Sequence, residues 1–307
     1  MNWQASNRKE KSMDWKTLNP ETFAQVISDD GRQIAKDDKY MNAVQEMWRS
    51  TKHHTVPTEI SSFVYHGEAE AGDQHTQLYG YFARRKQSSG PGEIRPIPGV
   101  LLFHTAAGPQ DVFLFQKAAL ILQSIDCVVF VSDILSDERG WGWGSDRSRY
   151  LAEKESLMDK NAKLMQSRVA AAVKTLCKID SLCGDDIQVD PKRIASMGWC
   201  LGGYPIFELG MTAPRLASSI PDLDIKAMVT FHGVFGRDWT TYSPPEECAS
   251  SSTTDSTAKP EMLIFNGAQD PFVAKADLDK HSHSMRIQPS NTTRKVQMKV
   301  GKLPLHC

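Results

Sequence analysis

From residue 99 onward, short continuous apolar runs alternate with segments of helical periodicity, and this alternation constrains the fold more than any other feature of the chain. Strands are predicted over 99–104, 127–133, 193–197, 225–231, 262–266 and 295–300. Helices are predicted between them, over 111–124, 148–178, 202–211 and 273–286. A strand that is apolar along its whole length hides both of its faces. The pattern therefore predicts an α/β fold, a mainly parallel sheet with helices on both sides. Upstream, 62–65 and 77–82 read as two further strands joined by a polar loop.

Residues 1–57 have a different rhythm. Asn19-Pro20-Glu21 is a helix-start signal, and Met41, Val44, Met47 and Trp48 recur at helical spacing. This stretch is read as an N-terminal helical extension on an α/β domain spanning 58–307. Trp141-Gly142-Trp143-Gly144 follows a strand end, where substrate loops of open sheets gather. Residues 243–258, rich in Ser, Thr and Pro, read as a surface insertion.

The chain has 307 residues, 40% apolar and 24% charged, which excludes wholesale disorder. A formal charge of −1 gives no net attraction for nucleic acid or an anionic membrane. The basic run Arg84-Arg85-Lys86 is read as a solvated strand end. The N-terminus has no basic segment followed by an apolar run, and no apolar stretch is long enough to span a bilayer. A cytoplasmic protein, monomer or homodimer, is expected. Six cysteines in a chain of this length do not make a disulfide scaffold.

The segment that carries chemistry is Arg193-Ile194-Ala195-Ser196-Met197-Gly198-Trp199-Cys200-Leu201-Gly202-Gly203-Tyr204. It has the spacing of a strand–turn–helix elbow, glycine–x–nucleophile–x–glycine, with Cys in the nucleophile position. Small residues at 198 and 202 allow the backbone of such a strained turn to approach itself closely. A helix that begins just after Cys200 aims free amides and its positive dipole end at the sulfur, which favours thiolate. The Leu201 amide can then hold an oxyanion.

Gly198-Trp199-Cys200-Leu201-Gly202-Gly203 resembles the nucleophile motif of the dienelactone hydrolase family, from about Gly99 to about Asp270. The resemblance implies an α/β-hydrolase fold, a Cys-Asp-His triad, ring-opening of lactones and no cofactor. It also implies a closing C-terminal helix beyond the base. The chain ends at Cys307, so that helix is expected to be missing.

The acid of such a triad follows the nucleophile at the end of a later strand, and Asp270, in Gly267-Ala268-Gln269-Asp270-Pro271, fits that position. It also fits as the cap of the next helix. The base must follow the acid, which leaves His281, His283 and His306. The first two fall in the helix predicted over 273–286; His306 follows the last strand, so spacing selects it. The second oxyanion donor belongs to the loop after strand 99–104, with the Ala106 amide, or its neighbour Thr105, as candidates. Thr105 stands where dienelactone hydrolases proper carry a carboxylate. His104 reads as a structural strand-end residue. Thr105, Trp143, Trp199 and His232 are candidates for the substrate pocket, although the tryptophans suit a core role equally and His232 reads first as a hydrogen-bonded structural residue. No metal set is found.

These readings predict a cofactor-independent hydrolase acting on a small-molecule ester, lactone or thioester through an acyl-enzyme. The alternative is an impaired or inactive homologue serving as a binding or regulatory module.

Overall fold

The computed structural model describes residues 58–68, 76–85, 95–106, 108–109, 112–135, 153, 155–157, 162–179, 187–233, 261–267, 273, 276, 279 and 295–301. The N-terminal extension, the Trp141–Gly144 segment, the 243–258 insertion and most of the helix predicted over 273–286 lie outside them.

Eight strands form one sheet: β1 (Thr58–His66), β2 (Gln77–Arg85), β3 (Ile97–Phe103), β4 (Val128–Ser132), β5 (Val189–Trp199), β6 (Ile225–Phe231), β7 (Glu261–Gly267) and β8 (Lys295–Gly301). Their spatial order is β1-β2-β4-β3-β5-β6-β7-β8. β2 runs antiparallel to β1 and β4, and every pair from β4 across to β8 is parallel. Three helices are described: α1 (Val112–Ser124), α2 (Lys163–Cys177) and α3 (Gly203–Ser219).

The order reverses once. From β3 the chain crosses through α1 to β4, then returns through α2 over β3 to β5 and continues outward through α3. Right-handed crossovers moving in opposite directions put their helices on opposite faces. Side-chain alternation shows the result. Val100, Leu102, Val129 and Val131 pack with Leu114, Phe115, Ala118 and Leu122 of α1. Leu101, Phe103, Val128 and Phe130 join the core of α2 and α3. β4 is buried at all five positions, as a central strand covered on both sides must be.

Three expectations need correction. The helix predicted over 148–178 is not continuous. Ala162 adopts φ 50°, a left-handed conformation that ends any helix arriving from upstream, and α2 starts after it. The helix predicted to end at 211 runs on to Ser219 in spite of Pro214, because its first ten residues are all buried and packing outweighs one lost backbone hydrogen bond. Arg85 is not simply solvated. Its Nε and Nη2 donate to the carbonyls of Leu122 and Gln123 at 2.5 and 2.9 Å, capping the C-terminal end of α1 with a cation.

Among the described residues, no helix is long and apolar enough to cross a membrane.

Candidate active site

β5 delivers the chain to a sharp turn at its carboxyl end. Trp199 is extended (φ −126°, ψ 139°), Cys200 flips to φ 53°, and a single 3-10 turn, Cys200–Gly202, leads into the 17 residues of α3. A left-handed conformation costs a residue with a Cβ roughly 1–2 kcal/mol. A glycine would adopt it freely, yet a cysteine stands there. The surroundings impose the turn. A Cβ on Gly198 would lie 2.0 Å from the Gly202 carbonyl oxygen, and one on Gly202 would lie 2.4 Å from the carbonyl oxygen of Phe103. A Cβ on Gly203 would lie 2.3 Å from the Cα of Gly233. The glycines of the motif are therefore the only residues that let β5, β3 and the loop after β6 close around the sulfur-bearing residue.

Cys200 is part-buried, and Leu201 beside it is buried. Amides in the first turn of a helix have no acceptor within that helix, so the Leu201 N–H is available to a developing anion. The other described cysteines differ. Burial pushes the Cys127 thiol up to about 12, with Asp126 adding to the effect and Arg85 opposing it. Burial likewise raises Cys177, at the end of α2, to about 11. None of the three is in a disulfide.

The elbow leans on the exit of β3, where Gly202 touches the backbone of Phe103 and His104. β3 and β5 are the adjacent strands whose onward connections leave in opposite directions, and the crevice outside such a switch point is where open α/β sheets bind ligands. The loop at this point is tied down from several sides. Gly108 N–H donates to the Thr105 carbonyl at 3.2 Å, closing a turn that has Gly108 at φ 91°. Tyr81, stacked on Phe115 at 4.3 Å, donates its hydroxyl to the Pro109 carbonyl at 2.5 Å. Thr105 is part-buried and Ala106 is exposed.

His104 is fully buried at the root of this loop. Its Nδ1 lies 2.6 Å from the Thr105 carbonyl oxygen, and the Ile134 amide donates to its Nε2 at 3.0 Å. A carbonyl only accepts and an amide only donates, so the ring is the neutral Nδ1–H tautomer. Asp133 is the nearest acid, with Oδ1 3.5 Å from Nε2, but that oxygen already accepts the Leu135 amide at 2.9 Å. The exit of β4 is held further by Tyr65, whose hydroxyl donates to the Asp133 carbonyl, and by Arg168, which joins the Ile134 carbonyl to Glu153. His104 thus joins two loops and has no nitrogen left for a base.

Trp199 packs on the α1 face of the sheet, edge-on to Phe113 at 5.4 Å and stacked on Phe231 at 5.5 Å; Phe231 in turn stacks on Phe265 at 5.0 Å. The ring that precedes Cys200 is thus the first rung of an aromatic ladder across the ends of β5, β6 and β7. His232 follows Phe231 with φ 52°, its amide bonded to the Phe265 carbonyl at 2.8 Å. Asp270, His306 and Trp143 lie outside the described residues. The strands that lead to the first two end at Gly267 and Gly301, which pair with one another at the same sheet edge as Cys200. Among the described residues, no group of three or more His, Cys, Asp or Glu side chains is placed to hold a metal ion.

A family model described as the dienelactone hydrolase family matches residues 78–299, more than two thirds of the chain. The chain belongs to the dienelactone hydrolase family. Its sheet order and the elbow after β5 are those of an α/β-hydrolase fold, and membership of the family supports a hydrolase. No curated protein matches the sequence. Among solved structures, a protein named m3DLH is similar at 21% identity with a TM-score of 0.54, over 79% of this chain and 81% of that one. A dienelactone hydrolase-like promiscuous phosphotriesterase from metagenomic libraries is similar at 20% identity with a TM-score of 0.53, over 79% and 82%. At these identities the likeness is one of fold.

The sequence reading found the strand–turn–helix elbow at Cys200 but missed the ties that fix its surroundings. The Tyr81–Pro109 and His104–Ile134 bonds join residues 28 and 30 positions apart, and neither pair has a local signature. The left-handed backbone at His232 had one weak sign, the glycine that follows it.

Proposed function

We propose that this chain is a cofactor-independent hydrolase of ester, lactone or thioester bonds with Cys200 as its nucleophile. The observation that carries the reading is the left-handed backbone of Cys200 at the mouth of α3, set in a turn whose flanking glycines leave no room for a side chain. In this reading His306 takes the thiol proton and Asp270 orients the imidazole. The Cys200 sulfur attacks the substrate carbonyl, and the oxyanion rests on the amides of Leu201 and Ala106. The imidazolium protonates the departing alkoxide, leaving a thioester on Cys200. Water, deprotonated by the same imidazole, then releases the acid and restores the thiol.

Thiolates attack activated esters well and amides poorly, so esters, lactones and thioesters are better substrates than peptides. Trp143, Trp199, Thr105 and His232 are proposed to line the substrate pocket, and the enzyme is proposed to work in the cytoplasm. The test is a burst of p-nitrophenol from p-nitrophenyl acetate. One equivalent per chain is expected from the wild type and none from Cys200→Ala. An unchanged burst in the variant removes Cys200 from the mechanism.

A further inference from the structure

His104 touches neither the nucleophile nor any open surface, yet its two bonds have a geometric consequence for the site. The Thr105 carbonyl and the Ala106 N–H belong to one peptide unit. No cis peptide occurs among the described residues, and in a trans unit the C=O and N–H bonds point in opposite directions within one plane. Whatever holds the Thr105 oxygen therefore aims the Ala106 hydrogen. The His104 Nδ1–H holds that oxygen at 2.6 Å, closer than the turn bond from Gly108 at 3.2 Å. The ring itself cannot swing, because it is fully buried and its far nitrogen accepts the Ile134 amide.

We infer that His104 is a positioning residue for the oxyanion hole: by holding the Thr105 carbonyl it points the Ala106 N–H outward, toward the space beside the elbow. The inference rests on the acyl-transfer reading above, in which Ala106 supplies the second oxyanion donor. It also gives the buried imidazole a task that its neutral form alone performs. Only the Nδ1–H tautomer donates to Thr105 while accepting from Ile134, and the Ile134 amide enforces that tautomer from the opposite side of the ring. The exit of β4 thus sets the donor in the exit of β3. A developing oxyanion gains only from donors already aimed at it, and removing one such donor lowers kcat by about 10²–10³.

Two isosteric replacements separate the two bonds. In His104→Asn the side-chain amide nitrogen occupies the Nδ1 position and still donates to Thr105, but nothing reaches Ile134. In His104→Gln an acceptor remains for Ile134, and the donor to Thr105 is gone. Each variant forfeits one hydrogen bond, so both are expected to lose similar thermal stability.

The readouts are the residual dipolar coupling of the Ala106 N–H and the steady-state constants for p-nitrophenyl acetate. The coupling is expected to stay at the wild-type value in Asn and to change in Gln. The kcat is expected to fall about 10- to 100-fold in Gln, with KM unchanged, and about threefold or less in Asn. Couplings that change equally in both variants, or in neither, overturn the inference, as does an equal loss of kcat in both. A wild type without a burst overturns the hydrolase reading instead, and the coupling then still decides whether His104 holds the peptide.

Discussion

The two loops that meet at the switch point of the sheet are fixed by different means. The elbow after β5 is fixed by contact. Its glycines leave no room for a single carbon, and Cys200 is forced into a left-handed turn. The exit of β3 is fixed by hydrogen bonds from distant positions, Tyr81 on β2 and His104 backed by Ile134 beyond β4. Jammed backbone tolerates almost no change, whereas a hydrogen-bonded loop degrades by steps. The proposed nucleophile, Cys200, sits on the first kind of support and the proposed second oxyanion donor, Ala106, on the other.

Gly202→Ala tests the first kind of support most severely. The added carbon would meet the Phe103 carbonyl at 2.4 Å, and backbone of a central strand cannot yield. A loss of about 4 kcal/mol or more in urea unfolding is expected, with no burst from any folded fraction. A loss below about 1 kcal/mol would show that the elbow is loose.

Tyr81→Phe probes the other support. It removes the hydroxyl bond to Pro109 while keeping the stack on Phe115. About 1–3 kcal/mol of stability is expected to go, since the orphaned Pro109 carbonyl is buried, and kcat should fall a few-fold with KM held. A kcat loss as large as that of Gly202→Ala would erase the contrast between the two loops.

The smallest effect is the sharpest in sign. Alanine normally beats glycine by limiting the unfolded chain, but at φ 53° the order should invert. Cys200→Gly is expected to be more stable than Cys200→Ala by about 0.5–1 kcal/mol in chemical denaturation. If alanine is the more stable, the strain assigned to the turn is absent.

These differences also explain what could be read in advance. The sheet was legible because apolar runs and their spacing are local properties, and the strands predicted from 99 onward are all present. The elbow was legible because close approach demands glycine, and glycine at fixed offsets is visible in a sequence. The break at Ala162 was not, since an alanine in a helical pattern argues for continuation. Arg85 read as solvated because the helix end it caps lies 37 positions away. His104 was rightly set aside as a base, but its value to the site lay in a partner 30 positions downstream that no spacing reveals. Spacing selected Asp270 and His306, and neither falls among the described residues.

The central claim is that Cys200 is an activated thiolate on the elbow, and the rate of its alkylation by iodoacetamide against pH, read by mass on the peptide that carries it, tests this most directly. Half-maximal rate is expected well below the free-cysteine value of about 8.5, with the Cys127 and Cys177 peptides unlabelled near neutral pH because burial holds their thiols at about 12 and about 11. A Cys200 rate that follows an ordinary thiol, rising only through pH about 8.5, would contradict it.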